Sequence, residues 1–397
     1  MAEMGEKVSV QHFTYIIAGG GAAGLSLALH LLSILSADQA ILIIDRDNKK
    51  DNDRTWCFWL TEEPPYKDVL FRTWHTIKFH GTRGFFKEYH LNGYQYHMLR
   101  GIDFYNHARS VLETDSRVSF LKSTIETISE RNNRPHIQTI AGSFTADWVF
   151  DSTFLISQFN PEKRNIHLLM QHFRGWEIET EKPVFDPEAV TMFDFRTPQD
   201  NAMRFVYILP FSPTHALVEY TLFSETLLSS AEYDESLKRY IQDHLHLTEA
   251  EFQIKEVEDG IIPMTDYPFK RKLGDHILAT GTKGGMVKAS TGYAFLRIQK
   301  DSAAIARSLK EFGHPWHYYQ APHRYRFYDT TMLHVMKYHS NSMAEIFTSM
   351  FKRNRIQNIF HFLDEDGSLL SDLHILASVP VQPFIQSVID VFLRKKY

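Results

Sequence analysis

The stretch YIIAGGGAAGLSLALHLL, from Tyr15 to Leu32, limits what this chain can fold into more than any other. The apolar run Phe13–Ala18 reads as a buried strand. Gly19, Gly21 and Gly24 then form G-x-G-x-x-G, and Ala22–Leu35 reads as a helix that is apolar on most faces and so buried. Ala40–Asp45 is a second apolar strand ending in an acid. Strand, glycine turn, helix and strand make a βαβ unit, which argues for a parallel sheet. In such a unit the first glycine permits the tight turn. The second lets backbone approach a pyrophosphate, and the third lets helix and strand pack closely. The helix N-terminus meets the anion with free N–H groups and a positive dipole end. Asp45, at the end of the second strand, is placed to accept hydrogen bonds from a ribose. Taken alone, the unit fits a turn that only packs a helix, or a dinucleotide site for FAD or NAD(P).

A second glycine-rich segment narrows this. HILATGTKGGMVKASTGYAFLRIQKDS, His276–Ser302, puts a strand over Asp275–Thr280 ahead of Gly281, Gly284 and Gly285. That distal strand and turn is an FAD-type signal, with the glycines close to the flavin. A helix opening near Thr291, Gly292 and Tyr293 aims its N-terminus at the flavin ring. Many flavoproteins carry an Asp after the glycine of this strand, whereas here Gly281 is followed by Thr282.

Between these segments the pattern changes character. Tyr96–Leu112 has helical spacing after Arg100. Val118–Leu121, Ser123–Ile128, His136–Ile140 and Phe144–Phe150 read as short strands. From Leu168 to Ser224 strand-like runs with turns at Pro183, Pro198 and Pro213 predict an antiparallel sheet distinct from the parallel one. Helices are expected over Glu232–His246 and Asp301–Phe312, and beyond Pro315 the chain reads as amphipathic helix to a basic close, Arg394–Lys396.

The chain's 397 residues suffice for two domains or one large interleaved one. Its net charge of -5 provides no global basic field for nucleic acid. The single cysteine, Cys57, excludes an internal disulfide and a Cys-rich zinc site. No run reaches the ~20 apolar residues of a spanning helix. The opening MAEMGEKVSV shows no apolar signal core, so the expected compartment is the cytoplasm. The rich aromatic content either fills a core or lines a long apolar tunnel.

NDRTWCFW, FDPEAVTMFDFR, FVYILPFSPTHALVEYTLFS, GGMVKASTGYAFLRIQKDS and LLSDLHILASVPVQPF, together with the opening motif, are spread from end to end. With them the chain resembles the bacterial lycopene β-cyclases. The resemblance implies an α/β fold in which a glutathione-reductase-type FAD domain is interleaved with a sheet-based substrate domain. Carried onto this chain, residues 10–75, 99–160 and 260–315 form the FAD domain. Residues 76–98 and 161–259 form the polyene domain, and 316–397 a helical region that docks on membrane. The implied reaction closes the linear ends of lycopene into β-ionone rings, giving γ-carotene and β-carotene. It uses reduced FAD with NAD(P)H as reductant, without net redox change. The implied setting is the inner face of the cytoplasmic membrane, with other carotenoid-pathway enzymes as possible contacts. A monooxygenase or prenyl reductase of the same fold, or a carotenoid-binding protein, is the alternative.

Such chemistry needs an acid, a base and a dry cavity. Glu219, in the apolar run HALVEYTLF, is the first candidate, because burial raises a carboxyl's pKa toward that of a useful general acid. A solvent-facing or Arg-paired Glu219 is the competing reading. Asp194 is the second candidate, against a simple pair with Arg196 or Arg204. Arg54 is read as a phosphate or carboxylate holder, with Trp56, Phe58 and Trp59 walling flavin or polyene or forming a buried knot. Arg100 is read as reaching the cofactor or lying on the surface, and Asp151 as ending a strand near the adenine or serving a turn. His244 with His246, and His314 with His317, have no third ligand nearby in sequence, so no metal is expected.

Overall fold

The computed structural model describes residues 10–159 and 166–394. The first sheet grows from the βαβ unit. Strand β1 (Gln11–Ala18) lies between β2 (Ile41–Asp45) and β11 (Gly142–Asp151), parallel to both. β8 (Val118–Lys122) continues the parallel order beyond β2. At the other side β11 divides its partners. Its end, Val149–Asp151, pairs in parallel with β17 (Ile277–Ala279), and its start pairs with the antiparallel hairpin of β10 (Arg134–Thr139) and β9 (Ile125–Arg131). Asn132 and Asn133 turn that hairpin, both at positive φ, as a two-residue turn of this kind requires.

Helix α1 (Ala22–Leu32) covers one face of this sheet with α2 (Gly101–Leu112) and α4 (Phe295–Phe312), in a core that joins Ile17, Leu25, Phe104, Leu278 and Ile305. α1 stops three residues before the predicted Leu35, where Ser33 Oγ turns back to His30 O at 2.7 Å. α4 starts at Phe295, six residues before the predicted Asp301, because Phe295 and Ile298 extend the buried stripe of Ser302, Ile305 and Leu309.

The second sheet has the order β16 (Phe252–Thr265), β12 (Leu168–Thr180), β15 (His215–Ser224), β14 (Met203–Ser212), β13 (Ala189–Asp194), β5 (Thr76–His80) and β6 (Phe86–His90). Neighbours are antiparallel except β13 and β5, which run parallel. Along β15 the side chains alternate. Val218, Tyr220 and Leu222 pack with Tyr233, Leu237 and Ile241 of α3 (Ser230–Leu245), whose N-terminus is closed by a Ser229–Glu232 capping box. Leu217, Glu219 and Phe223 face the other way, into a cavity.

Several strands went unread in the sequence, β5 and β6 of the second sheet among them. β3 (Thr55–Leu60) carries the WCFW segment and joins β7 (Gln95–Arg100) and β4 (Arg72–Trp74) in a three-stranded sheet. β16, FQIKEVEDGIIPMT, is too charged at its start to resemble a buried strand, yet it is an edge strand whose outer residues are solvated. The C-terminal region folds as α5 (His323–Tyr338), α6 (Met343–Arg353), α7 (Ile356–Leu363), α8 (Leu369–Ala377) and α9 (Val381–Arg394). Phe347, Phe351 and Phe360 of these helices close over the second sheet against Val190, Phe193 and Phe205. No single described helix is long and apolar enough to cross a membrane.

Candidate active site

A cavity of about 760 Å³ runs from the glycine turn to the inner face of the second sheet. At its first end, Gly19 takes φ +105°, and a Cβ there would lie 2.3 Å from Ser152 Oγ. Gly24 lets the helix close on the strand, since a Cβ would sit 1.9 Å from Gly19 O. Gly21 differs from both. It is the N-cap of α1, it lines the cavity, and a Cβ on it would meet nothing within 4 Å. The space before it is a cradle open to a ligand, facing the positive end of α1. Asp45 lines the same end. Its Oδ2 accepts from Gly20 N–H at 2.5 Å and its Oδ1 from Asp47 N–H at 2.7 Å, which fixes the carboxylate beside the cradle and leaves lone pairs on both oxygens. Arg54 is exposed on the cavity rim, and among the described residues its guanidinium makes no hydrogen bond.

The middle of the cavity is walled by aromatics. Phe295, at the start of α4, stacks on Trp56 at 5.2 Å and on Phe58 at 5.1 Å. Trp59 stacks on Phe360 at 4.3 Å. Gly281 (φ +58°), Thr282, Thr291 and Gly292 (φ +74°) line this stretch. A Cβ on Gly292 would come within 2.1 Å of Gln171 Oε1, a buried acceptor without a hydrogen-bond partner among the described residues. Sequence reading missed Gln171, which had no motif to mark it. The loop after Gly285 is tied down from below. Lys288, buried, donates to Asp329 at 2.7 Å and Glu365 at 2.9 Å, and Ser290 Oγ donates to Asp329 at 2.6 Å.

At the far end the cavity holds carboxyls in apolar surroundings. Glu219 of β15 accepts from Thr221 Oγ1 at 2.5 Å. Burial, and then the charge of Glu258, push its pKa up to about 8 against that hydrogen bond. Glu258 of β16 accepts from Thr55 Oγ1 at 2.9 Å, and burial raises its pKa also. Asp364, just after α7, takes the indole N–H of Trp59 at 2.7 Å, and burial pushes it up to about 7. Tyr96 and Tyr207 share a 2.7 Å hydrogen bond beside Cys57, whose thiol burial pushes up to about 12. A thiol that stays protonated is not a nucleophile. Glu258 and Asp364 lay outside the sequence reading, because one sits in a charged edge strand and the other in the run DEDG.

Asp194, Arg100, Gly284, Gly285 and Asp151 do not reach the cavity. Asp194 is wholly buried in β13, where it accepts from Arg196 Nε at 2.9 Å and Tyr240 Oη at 2.6 Å. Burial alone would raise its carboxyl, but these bonds outweigh it and the pKa is lowered. The structure places it in an ion pair with Arg196, away from the cavity. Arg100 binds Asp103 at 2.6 Å and covers the Phe71 ring, so it turns away from the cofactor end. Gly284 and Gly285 serve the turn itself. A Cβ at Gly284 would strike Ala279 O at 2.7 Å, and Gly285 takes φ +76° beside Phe269. Asp151, also outside the cavity, holds Thr153 Oγ1 at 2.6 Å and Lys283 at 2.5 Å. Among the described residues no cluster of His, Cys, Asp and Glu is arranged to hold a metal.

A glycine turn on a parallel sheet, opening into a cavity roofed by a second sheet, defines an FAD-type flavoprotein fold. Solved structures share it. A geranylgeranyl bacteriochlorophyll reductase-like protein from Thermoplasma acidophilum superposes with a TM-score of 0.59 at 12% identity, covering 97% of this chain and 100% of that one. The p-nitrophenol 4-monooxygenase of Pseudomonas putida gives 0.56 at 12%, covering 96% and 98%. HpxO of Klebsiella pneumoniae, complexed with FAD, gives 0.56 at 12%, covering 96% and 99%. A family model described as lycopene cyclase protein matches residues 15–389, and the chain belongs to that family. A stretch of 62 residues is 42% identical to the lycopene beta-cyclase of Paracoccus sp. (strain N81106), and it spans 16% of this chain and 16% of that relative.

Proposed function

We propose that the protein is an FAD-dependent lycopene β-cyclase. It closes the linear ends of lycopene into β-ionone rings with no net change of oxidation state. The observation that carries this is Glu219, a carboxyl that stays protonated at neutral pH on the wall of a largely aromatic cavity, within a lycopene cyclase chain.

The glycine turn fits a dinucleotide pyrophosphate before Gly21, with Asp45 toward a ribose and Arg54 toward phosphate. Reduced FAD, with NAD(P)H as the reductant, would supply negative charge beside a developing cation. Gln171 Oε1, without a partner among the described residues, would accept from a ring N–H of that group. The aromatic walls exclude water, so that a cation is not quenched by hydration. Glu219 delivers its proton to the terminal C=C of the polyene. The tertiary cation that results is attacked by the neighbouring double bond, and the ring carbon then loses a proton to a carboxylate, leaving the proton count unchanged. Trp59, Tyr293 and Phe205 line the cavity, where the electron-rich face of an aromatic ring attracts a passing cation.

The substrate's insolubility supports contact with a lipid surface, and the proposed setting is the inner face of the cytoplasmic membrane. The exposed apolar side chains of α8 and α9, among them Leu370, Leu373, Ile385 and Ile389, suit a lipid surface. Lys395 and Lys396 of the predicted basic close lie outside the described residues.

Expression in lycopene-accumulating cells tests the reading. β-Carotene or γ-carotene should appear with the wild-type chain and not with Glu219→Gln. Consumption of NAD(P)H mole for mole with a saturated or hydroxylated product would instead establish a reductase or monooxygenase.

A further inference from the structure

Glu219 does not stand alone on the cavity face of the second sheet. In the ladder, Gly175 of β12 is registered opposite Glu219 of β15 on one side and opposite Glu258 of β16 on the other. Residues opposite one another share a face, so the two glutamates look into one cavity with a glycine between them, and both line it. Strands lie ~4.8 Å apart, which sets the two backbones roughly 10 Å from each other. A Cβ on Gly175 would approach Leu217 Cδ1 to 2.9 Å and Glu219 Cβ to 3.5 Å, so the glycine adds no side chain of its own between the two carboxyls, and only the end of Leu217 leans over it.

The groups around each carboxyl differ. Facing Glu219 are Thr221 on its own strand, Tyr207 opposite it on β14, and beyond Tyr207 the Cys57 and Tyr96 of the third sheet. All are neutral in this setting. Glu258 accepts from Thr55 on β3 and feels the guanidinium of Arg54, with Glu177 and Glu256 the like charges near it. Of the two, only Glu258 has a cation among the groups acting on it, so it is the member better able to carry a negative charge. Two carboxyls in one poorly solvated cavity do not both ionise readily, and the proton stays with the member that lacks a cation.

We propose that Glu219 and Glu258 share one proton as a pair across Gly175, with ionised Glu258 acting as the positioning residue that keeps the proton on Glu219. This rests on the cyclase reading for the use of that proton, but the pairing itself is a property of the resting protein. Glu258 reaches the reaction through Glu219. A unit charge at roughly 10 Å in a medium of effective dielectric ~20 moves a titration by about one pH unit.

The test is an infrared pH titration of the flavin-loaded protein. The protonated-carboxyl band of Glu219 is identified by its loss in Glu219→Gln. In Glu258→Gln the midpoint of that band should fall by about one pH unit, and the basic limb of the rate profile should move with it. Glu258→Asp, which restores the charge, should return both toward wild type. A folded Glu258→Gln protein with an unmoved Glu219 midpoint overturns the pairing. Should that variant not fold, Thr55→Val withdraws the donor that favours ionised Glu258. The proton then redistributes toward Glu258 and the Glu219 midpoint again falls, while an unmoved midpoint overturns the proposal. The titration needs no turnover. A Glu219→Gln protein that still forms β-carotene defeats the assigned acid without touching the pairing.

Discussion

Trp59 donates its indole N–H to Asp364 at 2.7 Å, joining residues 305 positions apart in the chain. The bond fastens the third sheet to the segment after α7 and closes the cavity between them. Burial pushes the Asp364 carboxyl up to about 7 against this hydrogen bond. Its folded pKa therefore lies above the unfolded value. The folded state binds more protons than the unfolded state between about pH 4 and 7, so stability is lost as pH rises through that window. Asp364→Asn keeps an acceptor for Trp59 and removes the ionisation. Thermal unfolding followed from pH 4 to 8 should show a wild-type midpoint that falls relative to the variant as pH rises. Parallel curves would remove Asp364 from the account.

The glycines of the first turn separate folding from ligand binding. A side chain at Gly24 collides with Gly19 O, whereas one at Gly21 meets only open space. Gly24→Val should therefore unfold or markedly destabilise the chain. Gly21→Val should keep the thermal midpoint of flavin-free protein and lose flavin on purification. Flavin absorbance retained at wild-type stoichiometry in Gly21→Val would show that the cradle is not the pyrophosphate site.

The legible part of the molecule was the part where local sequence rules coincide with the global fold. Gly19, Gly21, Gly24 and Asp45 sit where a βαβ unit puts them because turn geometry and helix–strand packing are satisfied within ~30 residues. Glu219 was legible because an acid in an apolar alternating run is a local contradiction, and here the alternation does turn it toward the cavity. Asp194 posed the same contradiction and was resolved oppositely, by Tyr240 reaching over from α3, 46 positions away. Glu258 and Asp364 were hidden for a different reason. Their neighbours are charged, and only the pairing of β16 with β12 and the closure of α7 over Trp59 bring them into the cavity. Arg100 was misplaced because Asp103, one helical turn on, captures it.

The apolar surface of α8 and α9 gives a further expectation. Leu370 is 81% exposed and Ile385 56%, so replacing them touches little of the core. Val391 of the same helix is buried, which makes truncation of α9 a poor probe of surface function. Leu370→Ser with Ile385→Ser should change stability by less than about 0.5 kcal/mol each and reduce cosedimentation with anionic vesicles. Equal sedimentation of variant and wild type would move the docking surface away from these helices.

Asp194 and Glu219 are expected to part company when each loses its charge. Asp194 is held by Arg196 and Tyr240, and its lowered pKa means that its contribution to stability is present above the ordinary aspartate range and lost as pH falls below it. Asp194→Asn weakens hydrogen bonds to a charged acceptor, each worth about 1.5–3 kcal/mol, and leaves Tyr240 with a poorer partner in the α3 interface. The variant should melt at lower temperature at pH 7, with the gap to wild type closing below about pH 4, while the protein that remains folded still makes β-carotene. Glu219 has the opposite sign. Its pKa of about 8 means that ionisation opposes the folded state as pH rises from about 4.5 to 8. Glu219→Gln should therefore be as stable as wild type or more so at pH 8, load flavin normally, and leave lycopene uncyclised, since general acid catalysis is worth about 10²–10⁴-fold. Melting curves and pigment extracts from the two variants decide the matter together. A stable, inactive Asp194→Asn beside an unstable, active Glu219→Gln would exchange the roles assigned to these two acids.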